Sequence, residues 1–175
     1  MMQRHVVIDV ETTGLSPRHG HRVIEIGAVA LEDGVVVGEF STLIDAGVPV
    51  PYVVQAIHGI TDEMLAGQPT PDDALPPFAR FIRESVLVAH NAPFDIRFLR
   101  HEFGRLGLAL KHSYVCTMAL SRLRYPHLRN HKLETVFQHV AGPPPATSRR
   151  HRALDDARMA AAIFVCITEK RVVKK

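Results

Sequence analysis

His5-Val-Val-Ile-Asp-Val-Glu-Thr-Thr-Gly-Leu15 is the stretch on which the fold turns. Its first half is apolar and rich in β-branched residues, the composition of a buried strand, and two carboxylates, Asp9 and Glu11, stand at its far end. Strand side chains alternate between faces, so residues two apart share one, and Asp9 and Glu11 project together from the same side of a sheet. Two like charges at that spacing repel each other. A divalent cation beside them reverses the local electrostatics and keeps both ionised; the plainer alternative is a pair of solvated acids on an edge strand. Thr12-Thr13-Gly14 tilts the balance toward a ligand site, because small hydroxyl residues and a glycine let backbone approach a phosphate or a sugar.

Around that stretch, 175 residues suffice for a single domain, 1–175, with a core of its own and no repeat, low-complexity segment or linker. With 46% hydrophobic and 22% charged residues the composition excludes a disordered chain. No apolar run reaches membrane-spanning length, and Met1-Met2-Gln3-Arg4 lacks a signal-peptide pattern, so no membrane partner is expected and a cytoplasmic location follows by default. Cys116 and Cys166 have no zinc-type spacing and are expected to be reduced core thiols. The net charge of +3 is unevenly spread: 9 Lys and Arg against 14 Asp and Glu up to Ser121, then 12 against 4 from Arg122 onward. An acidic metal site in one part and a basic surface in another is what a phosphate backbone requires, although a solvated basic face has the same composition.

Downstream, Arg22 to Leu31 and Val35 to Ile44 read as two strands joined by the turn Glu32-Asp33-Gly34, an antiparallel meander with the first strand at its start. In Ile57-His58-Gly59-Ile60-Thr61, Thr61 caps a short helix containing Asp62 and Glu63. Pro69 to Pro77 reads as a turn-rich entry to a helix reaching about Glu84. Val86-Leu87-Val88-Ala89 is a short buried strand ending on His90-Asn91-Ala92-Pro93-Phe94-Asp95, with Asn91 as N-cap and Asp95 in the first turn of a helix to about Arg105. Asp95 either complements the helix dipole or serves as a third ligand. Tyr114 to Thr117 reads as a strand leading into a helix, Leu133 to Val140 as another helix, Gly142 to Arg152 as loop, and about Ala153 to Glu169 as the last helix.

That last helix offers two adjacent acids. At roughly 100° per residue, Ala153, Ala157, Ala160, Phe164 and Ile167 form the buried face, Asp156 lies roughly 70° from its centre, and Asp155 lies nearly opposite, toward solvent. His151 would be about 140° from Asp156 if both were helical, so it belongs at or before the helix start.

Asp9-x-Glu11 with Thr12-Thr13-Gly14, His90-Asn91-x-x-Phe94-Asp95, and His151-x-Ala153-x-x-Asp156-Ala157, in this order and spacing, resemble the DEDDh exonucleases over nearly the whole chain. The likeness is greatest to the DnaQ-like proofreading group, meaning the epsilon subunit of bacterial DNA polymerase III and the exonuclease domain of PolC. It implies an α/β, ribonuclease H-like fold: a central mixed five-stranded sheet flanked by helices. It implies a 3′–5′ exonuclease that hydrolyses single-stranded DNA ends to nucleoside 5′-monophosphates. Asp9, Glu11, Asp95 and Asp156 would hold two Mg²⁺ or Mn²⁺ ions, one activating water and the other stabilising the leaving oxygen, and His151 would be the general base.

By the same resemblance Thr12, Thr13, Gly14 and Asn91 belong to the substrate site. Leu15 wedges at the penultimate base, and His58 and Phe94 pack nearby. Loop packing for Leu15, core packing for Phe94 and a turn role for His58 are the structural alternatives. Arg149, Arg150 and Arg152 either contact phosphates or line a solvated loop. A ribonuclease of the same superfamily would use the identical site, a non-catalytic nucleic-acid-binding module would not need it, and Glu11 to Leu15 favours DNA. Arg171-Val-Val-Lys-Lys175 closes the chain without the tail by which the epsilon subunit holds its polymerase, and no clamp-binding-like Gln-x-x-Leu-Phe segment is found. A polymerase partner, a stand-alone enzyme and a piece of a longer protein all stay open.

Overall fold

The computed structural model describes residues 4–143 and 151–168. Alternating and apolar runs become five strands: β1 (Arg4–Thr12), β2 (Val23–Glu32), β3 (Val35–Leu43), β4 (Val86–Ala89) and β5 (Tyr114–Cys116). They form one sheet in the order β3-β2-β1-β4-β5. The first three strands pair antiparallel, whereas β4 runs parallel to β1 and β5 parallel to β4. The β2–β3 hairpin closes on Asp33 (φ 50°) and Gly34 (φ 80°), two consecutive left-handed residues whose twist matches that of the flanking strands. This is the mixed five-stranded sheet expected of a ribonuclease H-like fold.

Period-2 alternation sorts the central strand between two layers. Val6, Ile8 and Val10 face α3 (Pro71–Ile82) and α4 (Ala92–Arg105), meeting Leu75, Phe78, Phe98 and Leu99. Val7, with Val29 and Leu31 of β2, faces α7 (Ala153–Thr168), meeting Ala157, Ala160, Ala161 and Phe164. Asp9 and Glu11 continue the Val7 row, so both carboxylates point to the α7 side. The small residues of α7 let that helix lie close against the sheet. Its outer face is covered by α6 (Leu133–Ala141), where Val136 and Phe137 meet Met159 and Ile163. The remaining helices are α1 (Tyr52–His58), α2 (Asp62–Leu65) and α5 (Thr117–Arg124). At α2, Thr61 accepts the Met64 N–H as expected (3.4 Å).

One boundary differs from expectation. Pro69 to Pro77 is not an entry segment: α3 already begins at Pro71 and contains Pro76 and Pro77. Pro71 occupies the first turn, where its missing N–H is no loss, and the carbonyls left without donors by Pro76 and Pro77 belong to Asp72 and Asp73, both exposed and open to water. The cysteines are free but only half-buried, so "core" overstated their position.

The closest approach in the α7 layer is at Gly27. It is the register partner of Asp9, and a Cβ there would overlap the Ala153 carbonyl and the Leu154 backbone nitrogen. Gly27→Ala must therefore lift the start of α7 from the sheet, and a stability loss of about 1–3 kcal/mol is expected in urea denaturation, the range for overpacking a tight contact.

Candidate active site

Three elements converge at the end of β1. Asp9 and Glu11 come from the strand itself. Asp95, in the first turn of α4 and 3% exposed, accepts the Val10 N–H on its Oδ1 (3.2 Å), which seats the helix on the strand between the two acids. The turn that delivers it depends on Asn91, which holds a left-handed conformation (φ 75°, ψ 44°) at the N-cap position. Its side chain makes no cap hydrogen bond, contrary to the capping role expected for it: asparagine is chosen here for its tolerance of positive φ. The third element is α7. Asp156 is 9% exposed and turned to the sheet, while Asp155 pairs with Arg158 (2.9 Å), which pairs in turn with Glu39 (2.6 Å). The helical phase derived from the sequence is thus correct for both acids, although Asp155 lies half-buried in that ion-pair ladder.

His151 precedes the helix in a left-handed conformation (φ 57°). Glu11, His151 and Asp156 each place a donor atom within 4.8 Å of the others, the one such grouping among the described residues. Residues that lie 140 positions apart in sequence thereby form a single donor set. Arg149 and Arg150 lie outside the described residues.

Electrostatics show how far this cluster departs from an ordinary surface. Burial raises the Asp9 carboxyl well above the usual range, and Asp95, Asp156, Glu11 and Glu25 raise it further. Glu11 is pushed up to about 8 by burial, then by Asp156, Glu25 and Asp95, with Arg152 opposing. Asp95 is also raised to about 8 by burial, against its backbone hydrogen bonds. Buried like charges of this kind persist as anions only beside a cation. A hard oxygen donor set with an adjacent imidazole fits a divalent metal ion.

Glu25 is the site residue that sequence reasoning missed. It lies opposite Glu11 on β2, 2% exposed. Arg152 Nε and Nη2 donate to its Oε1 at 3.0 and 2.7 Å, and the Ala153 N–H donates to Oε2 at 3.0 Å. One carboxylate thus caps α7 and holds the residue next to His151. The readable signal was a glutamate inside the apolar run Val23 to Leu31. Arg152, considered for phosphate contact, is instead committed to this internal pair.

The loop after β1 is fastened from within. Thr13, 2% exposed, accepts the Arg22 N–H on Oγ1 (3.0 Å), and the Thr12 hydroxyl donates to the Gly14 carbonyl (2.7 Å). A Cβ on Gly14 would overlap the His21 ring, so a larger residue there would have to displace that side chain. Arg22 carries the fastening to α4 through a two-pronged pair with Glu102 (2.8 and 2.8 Å). Leu15 stands clear of the surface at 81% exposure, and its carbonyl accepts from Arg97 Nη2 (3.1 Å), which excludes loop packing of its side chain. Phe94 is half-buried against Phe98 (ring centroids 5.0 Å apart), so it belongs partly to the core.

His58 is 5% exposed; its Nδ1 accepts the Ile60 N–H (3.0 Å), which leaves the proton on Nε2. Among the described residues that Nε2 has no well-formed hydrogen bond, and the nearest polar group to it is the Thr12 backbone. Burial lowers the His58 pKa, so the ring is a neutral donor.

The fold and this carboxylate cluster define a metal-dependent phosphodiester hydrolase. Comparison with known proteins agrees: the RNase T exonuclease family model matches residues 6–164. The chain is 43% identical over 160 residues to the PolC-type DNA polymerase III of Clostridium perfringens, covering 91% of this chain and 11% of that protein. It is 34% identical to the DNA polymerase III epsilon subunit of Aquifex aeolicus, covering 94% of this chain and 80% of that one. Among solved structures, exonuclease X in complex with 5′-overhanging duplex DNA superposes with a TM-score of 0.75 at 30% identity, over 93% of this chain and 90% of that one. The E. coli exonuclease I complex with single-stranded DNA shares the fold, with a TM-score of 0.82 at 17% identity, over 98% of this chain and 41% of that one. The chain belongs to the DEDDh exonuclease family, whose members act on nucleic acid with divalent metal ions.

Two outcomes follow from this geometry. Asp156→Asn should abolish cleavage in a gel assay, whereas Asp155→Asn, which alters a surface ion pair, should keep most of it. Between about 4.5 and about 8 the folded chain retains protons on Glu11 that the unfolded chain has released, so metal-free stability falls as pH rises through that window. The melting temperature in chelator should accordingly drop from about pH 5 to about pH 8.5, and Mn²⁺ should raise it more at the higher pH.

Proposed function

We propose that this chain is a 3′–5′ exonuclease that removes nucleoside 5′-monophosphates from single-stranded DNA ends, in proofreading or repair. The observation that carries this reading is the convergence of Glu11, His151 and Asp156 within 4.8 Å, with Asp9 and Asp95 beside them. Relatives that share 34–43% identity with the chain are DNA polymerase III proteins, which supports DNA over RNA.

Asp9, Glu11, Asp95 and Asp156 would hold two Mg²⁺ or Mn²⁺ ions, which would supply charge stabilisation at the scissile phosphate and make water more acidic. An imidazole nitrogen of His151 takes the proton of the attacking water, a task that suits a group with a near-neutral ordinary pKa. The water oxygen bonds to phosphorus, the bond to the 3′ oxygen breaks, and that oxygen leaves as an alkoxide that takes a proton from solvent to become the 3′ hydroxyl of the shortened strand. Backbone at Thr12, Thr13 and Gly14 approaches the terminal nucleotide, whose sugar and base meet Asn91, Phe94 and the buried Nε2–H of His58. Leu15 is free to insert beside the penultimate base. Association with a DNA polymerase, as the names of the PolC-type and epsilon relatives suggest, is part of the proposal.

The test uses 5′-labelled DNA and RNA of one sequence, with Mg²⁺ or chelator, beside His151→Ala. A DNA ladder shortening from the 3′ end is expected, absent in chelator and slowed about 10²–10⁴-fold in the variant. Shortening of RNA alone would move the function to RNA processing, and binding without cleavage of either would defeat the enzyme assignment.

A further inference from the structure

Arg122-Leu-Arg-Tyr-Pro-His-Leu-Arg-Asn-His-Lys132 runs from the last turn of α5 to the start of α6 and contains four cations and no acid. Arg122, Arg124, Arg129 and Lys132 are all exposed. Among the described residues none of these four side chains has an ion-pair partner, whereas Arg22, Arg152 and Arg158 are neutralised by Glu102, Glu25 and Glu39. Aromatic faces accompany the charge: the ring centroids of Tyr125 and His139 are 4.6 Å apart and those of His127 and His139 5.4 Å apart, with both histidines exposed.

The patch is anchored beside the active site. His90, the residue after β4, meets the His131 carbonyl through Nε2 (2.8 Å) and the Thr117 hydroxyl through Nδ1 (2.9 Å). The Ser121 hydroxyl meets His131 Nδ1 (2.9 Å). Because β4 is parallel to β1, this anchor lies at the sheet edge where Asp9 and Glu11 end. Leu120 and Leu133 pack in the same layer as α7, so α5 and α6 lie on the carboxylate side of the sheet. From β1 to β5 is two strand spacings, about 10 Å. At the ~3.4 Å rise of a stacked strand that distance is about three nucleotides.

We propose that this segment is a second contact surface for the substrate strand, binding phosphates through Arg122, Arg124, Arg129 and Lys132 and stacking bases on the Tyr125, His127 and His139 rings, about three or more nucleotides 5′ of the scissile bond. Exposed cations with interleaved rings are what sequence-tolerant single-strand binding uses. The proposal rests on the nuclease function above and deepens it: the enzyme grips a strand rather than only its terminal nucleotide.

The experiment compares a deoxythymidine dinucleotide with a 20-mer as substrates for the wild-type protein and for Arg122→Gln/Arg124→Gln/Arg129→Gln. The variant should raise KM for the 20-mer at least tenfold with kcat unchanged and leave dinucleotide hydrolysis unaltered. With three phosphate contacts gone, the slope of log(kcat/KM) for the 20-mer against log[salt] should become shallower by about 2. Equal losses on both substrates, no loss on either, or a loss on the 20-mer with an unchanged salt slope would each overturn the proposal. Failure of the wild-type protein to cleave either substrate would instead defeat the nuclease assignment. A thermal melt of the variant checks folding, and His127→Ala/His139→Ala, which leaves the charge pattern of the arginines intact, should raise the 20-mer KM by a smaller factor; no change there would overturn the stacking part.

Discussion

The constraint on which the structure depends is the mutual repulsion of half-buried and buried carboxylates at the end of β1. Asp9, Glu11, Asp95 and Asp156 are drawn from a strand and two helices, and Glu25 from the neighbouring strand adds to the same field. Such a cluster opposes folding unless other contacts force it together and a cation then relieves it. The forcing contacts are identifiable. Asp95 takes a backbone N–H of β1, Gly27 lets the α7 backbone touch β2, and Glu25 binds both Arg152 and the first amide of α7. Stability is thereby given up at the place where the donor set must be ready for metal, a pattern common at functional sites.

The uneven charge of the sequence acquires two meanings in three dimensions. Arg152 and Arg158, from the basic end of the chain, neutralise Glu25 and Glu39 from the acidic end and tie α7 across β2 and β3. In both pairs the cation is already matched by a carboxylate of this chain, buried at Glu25 and on the surface at Glu39. The arginines of the α5–α6 segment are exposed and have no such partners among the described residues. A single compositional trend thus divides into a structural part and a part available to a polyanion.

The loop after β1 is held rigid by residues of other elements. Thr13 is joined to Arg22, Arg22 to Glu102, and Glu102 also accepts the Val23 N–H (3.2 Å), so the loop after β1, the start of β2 and α4 move as one body. Both partners of the Arg22–Glu102 pair are buried, which makes its two-pronged geometry a requirement, since either charge alone would be uncompensated. His58 shows the complementary arrangement: one ring nitrogen is occupied by the turn at Ile60, and the other is a buried donor beside the Thr12 backbone.

Local pattern was enough to determine the strands, the hairpin at Asp33-Gly34, the shared face of Asp9 and Glu11, and the orientation of Asp156 rather than Asp155. Each of these follows from a period of 2 or 3.6 or from a residue's own backbone preference. The start of α3 was not legible, because whether two prolines interrupt a helix depends on whether the carbonyls they orphan reach water. Asn91 was placed correctly but for the wrong reason, since its φ is set by how far the chain must turn to bring Asp95 over β1. Glu25, Gly27 and the commitment of Arg152 were decided only by tertiary structure: they concern the approach of α7 to β2, more than a hundred residues apart, and no local pattern records a contact across that distance.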